Sequence, residues 1–438
     1  MAGFAGDAPP RALIAAALLG RNGAPLASPG QVRLILEGLK AGIGVQKAKV
    51  TTALALAATA LLAGAAGAQT LAPVTLGVGE AELTLGGAAR GVVFAADQPG
   101  SAANVGGVAK LRARLARTDD TGLTISLDGT LALHDRLSFG RYDGDVLEKL
   151  YGEARTLFGT VRLGLADGAS ADLAVAGPVA DTAVSLNDPS VTFFRDSNGD
   201  AVANIFTLRT PGGPSSNYAK IVWESPDLTG FFGLRAALSF APGEGKNVIP
   251  FLAAGPQLPG RQADMWEAAL RYADDFGPLS LSAYGGASFG RGEHKLAGQE
   301  GVSDYAAGLR GDWSVSDALT VSLGGAWHST NAYAFDINRS YDGAATRILH
   351  MSGGVAYDGW NASLEYGTGV AGRVAGNARL GLNGMEAQLA HTISDSILAS
   401  LGWQKLIYGR DAGTFYDGSK RLSLDAVFLH LSFRTSQQ

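Results

Sequence analysis

From about residue 80 onward the chain alternates apolar and polar side chains with a period of two. Leu319, Val321, Leu323, Gly325 and Trp327 fall on one side of a strand, and Tyr305, Ala307, Leu309, Gly311, Trp313 and Val315 on one side of another. Trp266, Ala268, Leu270 and Tyr272 make a third such set, while the positions between carry Ser, Thr, Gly, Asp, Glu and Arg. A period of two predicts strands whose faces meet different surroundings. KLRARLAR (110–117) is the extreme case, with Lys110, Arg112 and Arg114 on one side and Leu111, Ala113 and Leu115 on the other. Like charges in a row repel and hold water, so this strand has a wet face backed by a greasy one.

The breaks between segments have their own rhythm. Tight polar turns fall at 118–122, 157–160, 225–230, 274–278, 315–318, 357–359 and 393–396. Longer polar stretches fall between them, at 95–104, 134–144, 166–215, 241–263, 290–302, 328–345, 368–377 and 408–420. Seven hairpins plus one strand at each end (80–94 and 421–433) give sixteen strands. An even number of strands of about ten residues, with short turns at one end and long loops at the other, predicts an all-β fold, a transmembrane antiparallel β-barrel. In hydrocarbon every backbone N–H and C=O must pair inside the protein, so the sheet has to close. Aromatic positions agree: Tyr272, Trp313, Tyr357 and Trp360 lie near short turns, and Phe240, Phe289, Trp327 and Tyr366 near long loops. These are the two belts expected at headgroup level.

Composition narrows the picture. The 438 residues carry a formal net charge of −5, which removes the global basic excess of a nucleic-acid binder. With no cysteine, neither disulfides nor thiol chemistry contribute. Glycine, at 61 of 438, is about twice its average usage without a collagen period. Lys47 and Lys49 precede an apolar run from Val50 to Leu62 and then the small residues Ala66, Gly67 and Ala68. This is an export signal, too short to span a bilayer as a helix. The division predicted is an unstructured extension or upstream start (1–46), a signal peptide (47–68) and the barrel (69–438).

Three longer stretches carry a family resemblance: EKLYGEARTLFGTVRLGLADGASADL (148–173), SNYAKIVWESPDLTGFFGLRAALSFAP (216–242) and LAHTISDSILASLGW (389–403). Together they resemble the Gram-negative general diffusion porins of alphaproteobacteria. The resemblance implies a homotrimeric outer-membrane channel in contact with lipid and lipopolysaccharide. It also implies a third external loop folded inward to narrow the pore, its acids facing a basic wall. Here that loop is the stretch from Ala166 to Ser215, whose candidate acids are Asp181, Asp188, Asp196 and Asp200. The candidate basic wall is Arg90, Lys110, Arg112, Arg114 and Arg155. Opposed charges across a wet gap order water and favour ionic or dipolar solutes. Members of the family end on an aromatic residue read by the barrel-assembly machinery; Phe433 fits that part, although five residues follow it.

Other signals are weaker. GASFG (286–290) matches the nucleophile pattern around Ser288, but it ends an alternating strand instead of forming a strand-to-helix elbow. Asp196, Asn198 and Asp200 partly match a calcium loop, yet Ala201 replaces the required Gly and Thr207 the twelfth-position Glu. An Asx turn is favoured there over a loose Ca²⁺ site. The six histidines lack metal-ligand spacing, so no cofactor or metal site is expected. The function expected is passive diffusion of small hydrophilic solutes and ions, not enzymatic catalysis. The alternative is a porin selective for sugars or anions, which an extra basic ladder or an aromatic track up the lumen would favour; 110–117 is one ladder, and the sequence offers no second as dense.

Overall fold

The structure, a computed structural model, describes residues 72–97, 104–134, 147–187, 208, 210, 215, 218–226, 233–243, 262–292, 301–331, 346–370, 380–411, 414 and 417–435. The chain opens with β1 (Val74–Val78), β2 (Ala81–Ala96), β3 (Asn104–Thr118), β4 (Thr124–His134), β5 (Leu147–Thr156) and β6 (Gly159–Leu165). A short helix, α1 (Ala169–Asp172), begins the long loop. Then come β7 (Ala219–Glu224), β8 (Leu234–Gly243), β9 (Gln262–Phe276), β10 (Leu279–Gly292), β11 (Ser303–Ser314) and β12 (Leu319–Thr330). The last five are β13 (Thr346–Tyr357), β14 (Trp360–Val370), β15 (Leu380–Ser394), β16 (Ile397–Arg410) and β17 (Arg421–Arg434).

From β2 to β17 each strand pairs antiparallel with the next, and β17 returns to β2 with Leu429 opposite Val93. The result is a closed barrel of sixteen strands, with each of the seven anticipated turns at a hairpin. β1 was not anticipated. It forms a hairpin with the start of β2, Val74 opposite Leu85, through a two-residue turn in which Gly79 takes φ +63°. β17 stops at Arg434 opposite Ala88, and its neighbour Thr435 donates its N–H to the Gly87 carbonyl at 2.9 Å. The stagger of the strands thus leaves the first residues of β2, paired with β3 on one side, without a β17 partner on the other, and β1 covers that edge.

The two faces differ as their periodicity requires. On β14, Trp360, Leu364 and Tyr366 point outward, Leu364 being 70% exposed, while Ser363 and Glu365 are buried on the inner side. The aromatic residues of both belts lie on the outer face; Trp313, Tyr357, Trp360, Phe289, Trp327 and Tyr366 are all exposed. Leu364 sits between the belts, so Leu364→Arg should cost about 2–4 kcal/mol of barrel stability, as an arginine does at mid-bilayer. Urea unfolding in lipid vesicles measures this, and a change below 0.5 kcal/mol would place Leu364 away from hydrocarbon.

Candidate functional site

The inner face is where charge collects, because water inside the ring tolerates what the hydrocarbon outside does not. On β3, Arg112 is exposed to the lumen, Lys110 pairs with Glu148 at 2.5 Å, and Arg114 lies 3.8 Å from Asp128 and 3.3 Å from Glu153. Arg155 also reaches Glu153, at 3.3 Å, and Arg90 is half-buried on β2 opposite Ser432. The anticipated basic residues therefore share one wall, β2 to β5, but most stand in a lattice of cations and carboxylates.

That lattice extends further than the sequence suggested. Arg162 of β6 bridges Glu153 (3.5 Å), Glu224 of β7 (2.6 Å) and Asp172 of α1, and Arg235 of β8 shares Glu224 at 2.9 Å. Lys149 pairs with Asp167 at the start of the loop. Arg162 was legible in principle: it holds the polar phase of β6 between Thr160 and Gly164, with Val161 and Leu163 outward. Arg235 and Arg271 come from strands with no local run of charge, so the sequence carried no equivalent signal.

The loop after β6 is tied along its described length to inward-facing side chains. At its root, Lys220 donates to the carbonyls of Ala166 (2.6 Å) and Ser215. Glu267 accepts from the backbone N–H groups of Ser170 (3.3 Å) and Ser215 (3.1 Å) and from the Ser215 hydroxyl. The Ala169 N–H donates to Ser239 of β8 at 3.1 Å, and the Ser170 and Tyr284 hydroxyls lie 2.5 Å apart. Further on, the Ala180 N–H donates to Ser363 (2.9 Å), the Asp181 N–H to Gln388 (2.8 Å) and the Leu186 N–H to Glu365 (3.2 Å). The chain returns over an apolar cluster in which Val184, Leu186 and Leu208 pack on Val92, Phe94, Ile348, Leu382, Tyr408 and Phe428.

Glycine explains how a loop fits against a wall that must also pack. A Cβ on Gly308 would run into the Val175 carbonyl, and one on Gly324 would stand 3.1 Å from the Gly177 Cα. Inward glycines on successive strands leave a trough for the loop, which accounts for part of the glycine surplus.

Asp181 requires a correction. Expected as an acid facing the pore, it is 2% exposed and turned into the wall, where it accepts from Ser400 (2.5 Å) and the Ala183 N–H (3.0 Å) and lies 2.6 Å from His430 Nδ1. Burial alone would raise its pKa, but the hydrogen bonds from His430, Ser400 and Ala183 outweigh it and hold the carboxyl below its ordinary value. Asp181 is an anchor. The loop carboxylates that do meet the basic lattice are Asp167 and Asp172, and burial raises the pKa of Asp172 although Arg162 opposes it. Asp188, Asp196 and Asp200 lie outside the described residues, as does the partial calcium motif around Asn198.

A closed ring of sixteen strands, apolar without and charged within, defines a transmembrane channel. The family model described as Gram-negative porin matches residues 52–406. The chain belongs to the Gram-negative porin family. It is a multi-pass outer-membrane protein that forms a channel for passive diffusion. No curated protein sequence matches it. Among solved structures it is similar to Salmonella typhi OmpF in complex with daunomycin, at 12% identity and TM-score 0.53, covering 82% of this chain and 100% of that one. It is also similar to the outer-membrane channel DcaP of Acinetobacter baumannii, at 11% identity and TM-score 0.52, covering 83% and 100%. A third is the trimer form of in-vitro folded OmpT of Vibrio cholerae, at 11% identity and TM-score 0.50, covering 81% and 99%. At these identities the likeness is one of fold.

Proposed function

We propose that the channel is a homotrimeric general diffusion porin whose third external loop folds into the lumen and sets its bore. One observation carries this reading: described loop residues hydrogen-bond to lumen-facing side chains from β8 to β17. Solutes then pass between the loop and the basic lattice of β2 to β6, where oriented charges favour small hydrophilic and ionic species. Among the described residues the buried Ser288 hydroxyl has no hydrogen-bond partner, whereas a nucleophilic serine needs a base beside it, so Ser288 lends no support to an esterase built on a barrel.

Trimer formation has its own support. On the outer face of β16 and β17, Lys405 and Asp425 stand opposite each other in an ion pair of 3.0 Å. A charged pair is costly against lipid tails, and a neighbouring copy would shield it. OmpT of Vibrio cholerae, of similar fold, has a trimer form. The rest of the outer surface would meet outer-membrane lipid and lipopolysaccharide. Phe433, outward-facing near the end of β17, is the residue proposed for recognition by the assembly machinery.

Planar-bilayer recording tests the whole reading. Large ohmic steps that open in threes are expected. Replacing both Arg112 and Arg114 with Glu should move the reversal potential in a KCl gradient towards cation preference. Unchanged selectivity would remove those residues from the conduction path. Small currents blocked by one sugar or anion would favour the selective alternative.

A further inference from the structure

The lumen holds a second cationic group, away from the wall foreseen in the sequence. Arg235 of β8 and Arg271 of β9 are directly opposite in register. Both point inward, since their neighbours Leu238 and Leu270 are exposed on the outer face. Facing side chains in antiparallel strands have Cβ atoms only about 5 Å apart, so like charges there repel. The surrounding carboxylates do not resolve the conflict. Glu224 serves Arg235 at 2.9 Å but is already taken by Arg162 at 2.6 Å. Asp312 is held by Arg310 at 2.8 Å, and Asp275 by the Ser280 hydroxyl at 2.5 Å. Among the described residues the Arg271 side chain has no ion pair or hydrogen bond, and its Nε is enclosed without a partner, as is that of Arg235. Both side chains are half-buried, and one terminal nitrogen of Arg235 rests on Glu224.

We propose that Arg235 and Arg271 form an oxyanion-binding step in the turn-side half of the lumen, taking inorganic phosphate or a solute that carries a phosphate group. Two planar forks side by side present parallel N–H donors to a tetrahedral oxyanion, a geometry that lysines would not supply. An anion bound there relieves the repulsion between the arginines, so binding and wall stability reinforce each other. Tyr284, opposite Arg271 in register, joins its hydroxyl to Ser170 of α1, so the step lies close to the root of the loop. A solute leaving the constricted part of the lumen would meet this pair before the turn-side mouth. The inference rests on the lumen being an open diffusion path.

The test is KCl current through the folded full-length channel, titrated with inorganic phosphate. Phosphate is expected to reduce the current saturably in the unaltered protein. The half-saturating concentration should rise at least tenfold in Arg271→Gln and in Arg235→Gln, with Arg271→Lys, which keeps the charge and loses the fork, falling between. A heat-dependent gel shift confirms that each variant is folded. A conducting wild type unaffected by phosphate, or a titration identical in Arg271→Gln, overturns the proposal. A wild type that passes no current overturns the diffusion reading itself.

Discussion

Replacing Glu267 with Leu should loosen the root of the long loop while leaving the sixteen-stranded ring closed. Glu267 is 1% exposed, and its carboxylate is the shared acceptor for donors at both ends of the loop, Ser170 and Ser215. Leu offers no acceptor, so two backbone N–H groups and a hydroxyl lose their partner in a buried place. At about 1–3 kcal/mol for each stranded group, the local cost is about 3 kcal/mol or more. Lys220, fully buried and donating to Ala166 and Ser215, would remain, together with the ties of Ala169 to Ser239 and of Ser170 to Tyr284. The ladder of β9 with β8 and β10 does not depend on that side chain. Expected results are larger and noisier single-channel currents with a folded barrel on gels. Conductance and noise equal to the wild type would show that the root is held elsewhere.

Asp181→Ala should release the far part of the loop, by a different route. The carboxylate joins β16 through Ser400 and β17 through His430, so its loss leaves a hydroxyl and a ring nitrogen buried without their acceptor. Removing one partner from such a buried cluster costs about 3 kcal/mol or more. The pH dependence follows from the lowered pKa. A carboxyl depressed in the folded state stabilises it above the unfolded value of about 3.9 and loses that contribution as pH falls through the lower folded value. Wild-type conductance attributable to this tether should hold from neutral pH down to about 4 and change only below. A variant whose currents and acid response match the wild type would show that Asp181 does not position the loop.

The barrel was legible in the sequence because lipid and water impose opposite demands on alternate residues. Leu319 to Trp327 could be read as one face with no knowledge of its neighbours, and β12 places them so. β1 escaped notice because five residues, VTLGV, are too few for a periodic signal. The lumen was harder. KLRARLAR announced itself by local density, whereas Arg162, Arg235 and Arg271 acquire meaning only when β6, β8 and β9 are brought side by side. Asp181 misled for a related reason. An acid in a polar loop looks solvated until one knows that His430, 249 residues further along the chain, will come to meet it. Glycine was counted, but its use as a trough depends on which face each one occupies.

β1 and β17 share one edge of β2, and Pro73 and Thr435 both come up against Gly86 from opposite directions. The barrel therefore has a single seam, made by the pieces of chain that are furthest apart in sequence and stitched end to end. Loop-closure entropy makes this seam the slowest pairing to form. A molecule halted short of it would carry two raw sheet margins into the membrane, each a template for a neighbouring unfinished chain.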